Sequence, residues 1–280
     1  YMNNKKLKLQ NLAIELTKRC NLDCAHCLKG ESQKVDISKE TIDNIFSQID
    51  SIGRLFLTGG EPTLASDALE NIIESIKKYN VSIAEWGMDT NGTMYSTRFY
   101  NALVELEKIC RESTKSNDMH GTICISTDDY HKESIKKAGL LARARYKKSI
   151  KETERLPWFI GYRDVPNELF NEGRAVNIHD KKKIQFKPMH YSLMEMDDSY
   201  LIGVMIFVNA NGDITQCDCS HERQQSNFYV GNVSNDLILN IVRNSKNGAF
   251  FNDLGEFYDD MEKQCKDYQD PFYFEEVEER

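Results

Sequence analysis

Short apolar segments with strand character alternate with helical segments along the first half of this sequence. The strand-like segments lie at residues 12–17, 54–58, 82–89 and 122–126, and residues 157–161 and 183–187 predict a fifth and a sixth strand further along the chain. Between them, apolar residues recur at intervals of three and four, which is the spacing of one helix face. Strands that alternate with helices in this way predict βαβ units and a parallel sheet. The pattern therefore places the chain in the α/β class.

The alternation ends after about residue 188. Residues 204–217 predict a β-hairpin, because the strand-like segments 204–208 and 214–217 flank an Asn-Gly turn at 209–213. We therefore expect a core over residues 1–190 and a small C-terminal hairpin and helix extension over residues 191–280.

A polar motif follows each of the first four strand-like segments. The motifs are the cysteine loop at 20–27, Gly59-Gly60-Glu61-Pro62, the loop containing Asn91, and the stretch from Ser126 to Asp128. In parallel α/β folds the functional groups gather where the strands end. We therefore expect these four motifs to lie on one rim of the sheet.

The cysteine loop places Cys20, Cys24 and Cys27 within eight residues. Three thiolates this close together can surround one small metal centre. A closed zinc site needs a fourth ligand. His26 lies directly between two of the cysteines in sequence, so all four side chains could hardly reach one tetrahedral centre. An iron–sulfur cluster held by three cysteines leaves one iron open for a ligand. On its own, the loop allows zinc, a set of redox thiols or such a cluster.

Composition excludes several classes of function. A net charge of −8 argues against general nucleic-acid binding, which needs a basic face. The longest apolar run, 200–208, is the length of a strand and too short to cross a membrane. No apolar signal segment opens the chain, so the eight cysteines predict thiols or metal ligands in the cytoplasm. Cys110 and Cys124 suit packing in a helix and a strand.

Two motifs together resemble a known family. Cys20-x-x-x-Cys24-x-x-Cys27 after the first strand and Gly59-Gly60-Glu61-Pro62 after the second resemble the signature of the radical S-adenosylmethionine (radical SAM) superfamily. The resemblance covers about residues 10–190 and implies a partial (β/α)6, TIM-like barrel. It also implies a 4Fe-4S cluster whose open iron binds S-adenosylmethionine (SAM). One electron then cleaves SAM to a 5′-deoxyadenosyl radical, which abstracts a hydrogen atom from the substrate.

The resemblance assigns roles to particular residues. It implies that Cys20, Cys24 and Cys27 ligate the cluster, and that Glu61 meets the methionyl ammonium of SAM. The residues that it places around SAM are His26, Gly59, Gly60, Glu61, Asn91, Ser126, Asp128, Arg143 and Arg174. Among these, His26 would lie near the adenine. Arg174 would also lie near it, because Gly173-Arg174-Ala175 resembles a Gly-Arg-Ala element of many peptide-modifying members. No catalytic residue is assigned.

Some of these residues also allow simpler interpretations. Ser126 and Asp128 could cap the helix that follows them. Arg143, with the neighbouring Arg145 as an alternative partner of the SAM carboxylate, lies in a basic segment expected to be helical over about residues 132–148. That segment could be a solvated helix face.

The C-terminal part resembles a degenerate form of the SPASM or twitch module of peptide-maturing members. In that module a hairpin and a Gly-Asn turn surround auxiliary iron–sulfur clusters. This chain has Cys217, Cys219 and Cys265 there, where a full module has about seven cysteines. They could hold one auxiliary iron–sulfur cluster or remain free thiols.

The resemblance favours a ribosomally synthesised peptide as the substrate, with a crosslink or an epimerisation as the outcome. About ten residues precede the first strand-like segment, so we expect a leader peptide to bind at an exposed strand edge. Flavodoxin or ferredoxin would supply the electron. An alternative is a radical SAM enzyme that acts on a small metabolite or nucleotide. A different class is a non-catalytic zinc or redox-sensing protein.

Overall fold

The computed structural model describes residues 5–140, 158–163, 168–184, 190–216, 229–245 and 248–267. Within these ranges the chain forms twelve strands and six α-helices. The strands are β1 (Lys6–Glu15), β2 (Ile49–Thr58), β3 (Ser82–Thr90), β4 (Gly121–Ser126), β5 (Trp158–Arg163), β6 (Glu168–Phe170), β7 (Lys182–Ile184), β8 (Tyr191–Glu195), β9 (Ser199–Val208), β10 (Asp213–Thr215), β11 (Tyr229–Asn232) and β12 (Gly248–Phe251). The helices are α1 (Lys39–Phe46), α2 (Ser66–Tyr79), α3 (Thr97–Thr114), α4 (Asp129–Lys137), α5 (Ile238–Asn244) and α6 (Leu254–Asp267). Two 3₁₀ helices cover Pro62–Leu64 and Gly173–Asn177.

Ten of the described strands form one sheet. Its main path runs β11-β10-β9-β1-β2-β3-β4-β5, while β8 pairs with both β9 and β12. Strands β1 to β5 are parallel in chain order, and β9 lies parallel to β1 on its other side. The carboxyl ends of these six strands therefore meet at one rim. This arrangement confirms the expected α/β class and the partial barrel.

Helices cover one face of this sheet through apolar stripes. Leu69, Ile72 and Ile76 of α2 are buried in the same cluster as Leu12 and Ile14 of β1. Three helices begin at side chains that accept a hydrogen bond from a first-turn N–H group. These caps are Ser38, Ser96 and Asp128. The helix periodicity of the sequence is therefore confirmed for this part of the chain.

The opposite, inner face of the sheet is packed more sparsely. Because side chains alternate along a strand, Ala13 lies on the inner face, where it packs against Phe56 and Phe207. Phe159 on β5 is 54% exposed. The inner face thus offers apolar surface close to the rim where the strands end.

The predicted hairpin is confirmed. Strands β9 and β10 pair antiparallel, with Val208 opposite Ile214. Gly212 in the connecting turn has a φ of +84°, which glycine adopts without steric cost. Because β9 also pairs with β1, the sheet continues across the expected boundary at residue 190. The division into two domains stays a prediction.

Two expected elements differ in the structure. The predicted strand at 183–187 is observed as β7, which pairs with β6 in a separate two-stranded sheet. Three consecutive lysines at 181–183 do not suit a strand buried on both faces of a parallel sheet. The basic helix expected to run to about residue 148 ends at Lys137 as α4, before Gly139 at a φ of +65°. Residues 141–150 lie outside the described ranges.

Among the described helices, none combines the length and the apolar character that crossing a membrane requires.

Candidate functional site

The three cysteines of the loop after β1 line one cavity. Cys20, Cys24 and Cys27 face a volume of about 250 Å³ at the rim where the parallel strands end. The Cys27 N–H donates to the Cys24 carbonyl at 3.1 Å, which folds the loop back on itself. Cys24 is anchored by apolar contact with Leu22 and with Ile135 of α4. The expected gathering of the three thiols is therefore observed.

The thiols lie where an unassisted thiolate is disfavoured. Burial raises the pKa of Cys20 to about 11 and that of Cys24 to about 12, and it also raises the pKa of Cys27. A buried thiol ionises readily when a bound metal compensates for the lost hydration. This donor set fits a thiolate-bound metal centre such as an iron–sulfur cluster, and it does not fit freely reactive thiols.

Two glycines let the loop after β2 lie directly against the cysteine loop. The Gly60 N–H donates to the Thr17 carbonyl, and the Glu61 N–H donates to the Arg19 carbonyl, both at 2.8 Å. A Cβ at Gly60 would lie 2.3 Å from the Arg19 oxygen. Only glycine allows this approach. Gly59 and Gly60 line the cavity, as expected.

Glu61 has a different place from the one expected. Its carboxylate is fully buried and is not part of the cavity wall formed by the described residues. It accepts hydrogen bonds from the hydroxyls of Thr63 and Thr90 at 2.6 and 2.7 Å, and from the Asn91 N–H at 2.8 Å. Burial raises the pKa of Glu61, and these donors act in the opposite direction. The carboxylate thus positions the loop after β3, and the contact with the methionyl ammonium that the resemblance implies stays a prediction.

Asn91 joins that loop to the cysteine loop. Its side-chain amide donates to the Asn21 oxygen at 3.0 Å and lies 3.8 Å from the Cys20 sulfur. The Asn91 oxygen accepts from the Thr93 hydroxyl at 2.6 Å. Asn91 also lines the cavity, so the sequence placed it on the correct rim.

Strand β4 delivers Ser126 and Asp128 to the same cavity. Asp128 also caps α4, since it accepts from the His131 N–H at 2.9 Å. Its second oxygen lies 2.5 Å from Nδ1 of the His131 ring. Burial alone would raise the pKa of Asp128, but the hydrogen bond and charge of His131 lower it to about 2. The capping and cavity interpretations of Asp128 therefore both hold.

His26 forms an aromatic part of the cavity wall. Its ring stacks on Tyr130 with 4.6 Å between centroids and meets His131 edge-on at 5.0 Å. Burial lowers the pKa of His26 to about 4, so the ring is neutral at pH 7. Its Nδ1 is buried without a hydrogen-bond partner among the described residues. A ligand in the cavity would give this atom the partner that buried polar groups require.

The 3₁₀ helix Gly173–Asn177 supports the cysteine loop from the other side. Gly173 has a φ of +53°, and a Cβ there would lie 2.4 Å from the Cys27 oxygen. The Arg174 N–H donates to that oxygen at 2.9 Å. The Arg174 side chain lines the cavity, pairs with Asp23, and leaves its Nε buried without a partner among the described residues.

Sequence reasoning missed several charged residues of the wall. Asp89 at the end of β3 and Arg163 at the end of β5 both line the cavity and pair at 2.8 Å. Lys18 and Lys29 flank the cysteine loop and also line it. The signal for Asp89 and Arg163 was their position at strand ends. Nothing local in the sequence marks the two lysines, which are buried by contacts distant along the chain.

Four predicted site residues receive no structural test. Arg143, Cys217 and Cys219 lie outside the described residues. Cys265 lies in α6, but its side chain is not described. Elsewhere, Cys110 is part of the main core, which confirms its expected packing role.

Comparison with known proteins identifies two domains. The family model of the Radical SAM superfamily matches residues 14–112, and the model of an iron–sulfur cluster-binding domain, SPASM, matches residues 202–267. Among solved structures, the chain is similar to one described as native anSMEcpe with bound AdoMet and Cp18Cys peptide. That match has a TM-score of 0.52 and 15% identity, and it covers 86% of this chain and 81% of the other. At this identity it shows a shared fold.

Curated relatives match a shorter part. A probable GTP 3′,8-cyclase of Pyrococcus horikoshii is 42% identical over 88 residues, covering 30% of this chain and 27% of the relative. The corresponding protein of Pyrococcus abyssi is 41% identical over 92 residues, covering 31% and 28%. The chain thus spans only about a quarter of the length of these relatives. The two domain matches, the motifs and the fold agree: the chain carries a Radical SAM superfamily domain over residues 14–112 and a SPASM-type iron–sulfur cluster-binding domain over residues 202–267.

Proposed function

We propose that this chain is a radical SAM enzyme that modifies a ribosomally synthesised peptide. The observation that carries the proposal is the convergence of one buried and two half-buried thiols, two close-packed glycines and the polar ends of β3 and β4 on one cavity. Cys20, Cys24 and Cys27 hold a 4Fe-4S cluster in this proposal. When bound, the cluster and SAM supply a 5′-deoxyadenosyl radical that abstracts a hydrogen atom from the substrate.

The cavity wall offers groups suited to SAM. Gly59 and Gly60 keep the backbone close enough to contact the methionyl part, and the Asp128 carboxylate is ionised and accepts hydrogen bonds from ribose hydroxyls. His26 is neutral and offers its buried Nδ1. Asn91 holds its amide next to Cys20. The residues that we assign to the SAM site are His26, Gly59, Gly60, Asn91, Ser126, Asp128 and Arg174.

Glu61 has an indirect role in this proposal. Its two oxygens bind the Thr90 hydroxyl and the Asn91 N–H. It therefore positions Asn91 for ligand contact, and the loop keeps this geometry because Thr63 binds the same carboxylate.

Two observations support a peptide substrate. The solved structure of similar fold contains a bound peptide beside AdoMet, and the SPASM match covers the C-terminal part here. A crosslink or an epimerisation of a peptide residue is the proposed outcome. Flavodoxin or ferredoxin is the proposed electron donor.

A nucleotide substrate is the second candidate. It is favoured by the 42% identity to a probable GTP 3′,8-cyclase. Incubation with SAM, dithionite and GTP separates the two candidates, because 5′-deoxyadenosine formation above the substrate-free background would indicate nucleotide chemistry. A short peptide encoded by a neighbouring gene is the matching test for the peptide class.

We further propose that Cys217, Cys219 and Cys265 hold an auxiliary iron–sulfur cluster. The SPASM match supports this assignment, because it spans all three residues and describes an iron–sulfur cluster-binding domain. Three cysteines leave one coordination position for a ligand other than cysteine.

The test of the enzyme class uses two buried cysteines. The anaerobically reconstituted protein should be brown and should form 5′-deoxyadenosine from SAM with dithionite. Cys24→Ala should reduce this product by at least about a hundredfold. Loss of a residue that only hydrogen-bonds to a metal ligand already lowers activity about ten- to a hundredfold, and loss of a ligand itself costs more.

Cys110→Ala is the matched control. Cys110 is also buried but lies in the main core, so this variant should keep both colour and product. If Cys24→Ala forms the product at the rate of the Cys110→Ala protein, the assignment of the cluster to this loop is wrong.

A further inference from the structure

A buried ion pair lies directly beside the cysteine loop. The Lys29 ammonium is 3.2 Å from Oε1 of Glu15. The two side chains are 9% and 1% exposed. Such a pair is shielded from water, so its charges act on neighbouring groups through a medium of low polarisability. Neither residue has a role in the proposed chemistry so far.

The pair connects the cysteine loop to the C-terminal hairpin. Lys29 follows Cys27 by two residues, and both line the cavity. Glu15 is the last residue of β1, and its second oxygen accepts from the Ala210 N–H at 3.0 Å in the turn between β9 and β10. The Lys29 ammonium lies 5.0 Å from the ring centroid of Phe207 on β9. The hairpin therefore fixes the position of both charges.

Charge near an iron–sulfur cluster is one of the factors that set its reduction potential. One electron from an external donor converts the oxidised cluster to a reduced form with one more negative charge. A nearby positive charge therefore stabilises the reduced form relative to the oxidised form, and a nearby negative charge destabilises it. Lys18 and Asp213 are also buried in this region and add one charge of each sign. These and the other neighbouring charges stay the same when Lys29 or Glu15 is substituted, so each substitution changes one charge near the cluster.

We propose that Lys29 and Glu15 act in opposite directions on the reduction potential of the cluster on the cysteine loop, with Lys29 raising it and Glu15 lowering it. This inference rests on the proposed function, because it requires a cluster on Cys20, Cys24 and Cys27. Both residues are positioning residues in this role, since neither needs to contact SAM or the substrate.

The test is a redox titration of the reconstituted protein, followed by electron paramagnetic resonance of the reduced cluster. Lys29→Met should lower the midpoint potential, and Glu15→Gln should raise it. We expect each shift to reach about tenfold in the reduction equilibrium, which is about 59 mV for one electron. The Lys29→Met/Glu15→Gln double variant removes one charge of each sign and should return close to the wild-type potential.

Two further variants separate charge from structure. Lys29→Arg keeps the positive charge and should keep the wild-type potential. Lys39→Met removes an exposed lysine on α1, whose side chain is 58% exposed, and should not change the potential. A structural disturbance at residues 15 and 29 would shift the midpoint potential of both single variants in the same direction. It would shift the potential of the double variant further in that direction.

The outcomes distinguish this inference from the proposed function. If the wild-type protein binds no iron and forms no 5′-deoxyadenosine, the proposed function fails. If it does both, but Lys29→Met and Glu15→Gln shift the potential in the same direction or leave it unchanged, the inference is overturned. Iron content measured for each variant identifies any protein that has lost its cluster. Glu15→Gln retains an oxygen that can accept from the Ala210 N–H. If Lys29→Met does not fold, the direction of the midpoint-potential shift in Glu15→Gln alone decides the test.

Discussion

The His26 side chain shows how burial selects the chemical form of a residue at this site. Its ring lies between Tyr130 and His131 and faces the cavity. The ionised Asp128 nearby favours a charged imidazole, yet burial dominates and lowers the pKa of His26 to about 4. The ring is therefore a flat, neutral surface at pH 7, with one nitrogen left for a ligand.

A pH-dependent stability follows from this residue. The pKa of His26 is about 6.5 in the unfolded chain and about 4 when folded. Its contribution to stability is therefore complete above pH 6.5 and is lost as the pH falls towards 4. At pH 5 the loss is about 2 kcal/mol. His26→Phe should remove this part of the pH dependence, measured by urea unfolding of the cluster-free protein at pH 7 and pH 5.

The control for this prediction is His179→Phe, at an exposed histidine, which should keep the wild-type pH dependence. Equal losses of unfolding free energy in the wild type and His26→Phe would contradict the prediction.

Individual site residues were predictable where their positions follow from spacing. The three cysteines and two glycines lie on loops directly after strands, so the sequence located them on the rim. The direction of the Glu61 side chain was not predictable, because it depends on Thr90, 29 residues away. The Glu15–Lys29 pair was also missed, since it forms only when the cysteine loop folds back over the end of β1.

At the scale of elements, the 3₁₀ helix Gly173–Asn177 acts as a support for the cysteine loop. Gly173 combines a φ of +53° with a close approach to the Leu28 and Cys27 oxygens. The sequence pattern Gly-Arg-Ala indicated that this element matters. It did not indicate that the glycine contacts the backbone of the loop, which lies about 145 residues earlier.

Gly173→Ala should therefore destabilise the protein for two reasons, backbone strain and a steric clash. Gly139→Ala is a matched control, because Gly139 has a φ of +65° but no atom within 4 Å of an added Cβ. We expect the control to cost about 1 kcal/mol from strain alone. Gly173→Ala should cost a further 1–3 kcal/mol or so from overpacking, together with a loss of bound iron.

Urea unfolding measures both costs, and iron analysis of the reconstituted proteins measures the effect on the loop. If the two variants lose the same unfolding free energy and bind the same amount of iron, the contact of Gly173 with the cysteine loop has no energetic role.

Two features of the sheet show where element-level prediction stops. The local periodicity predicted β1 to β5 and their helices, because each strand and helix carries its own apolar pattern. It did not predict that β9 pairs with β1, since that pairing joins segments about 190 residues apart. Long-range pairing depends on which edges remain available after the core has formed, and this information is not present in any short window of sequence.

At the scale of the whole molecule, the pairing of β9 with β1 makes the C-terminal part continuous with the core. The hairpin turn contacts Glu15 on one side, and the β10 strand leads on towards Cys217. The Asn232 amide donates to Asp213 at 2.8 Å, which ties the turn to β11. The part of the chain that carries the cysteines proposed for a second cluster is thus joined to the core through one sheet.

Iron content tests this two-centre arrangement directly. Two 4Fe-4S clusters require about eight irons per chain in the anaerobically reconstituted protein, and one cluster requires about four. We expect about eight. Cys217→Ala should remove the auxiliary cluster and leave about four irons, because the cysteine loop does not use this residue. That variant should still cleave SAM to 5′-deoxyadenosine, since the first cluster is intact. Cys110→Ala keeps all six proposed ligands and should retain the wild-type iron content. A wild-type protein with about four irons, unchanged by Cys217→Ala, would show that the C-terminal cysteines hold no cluster.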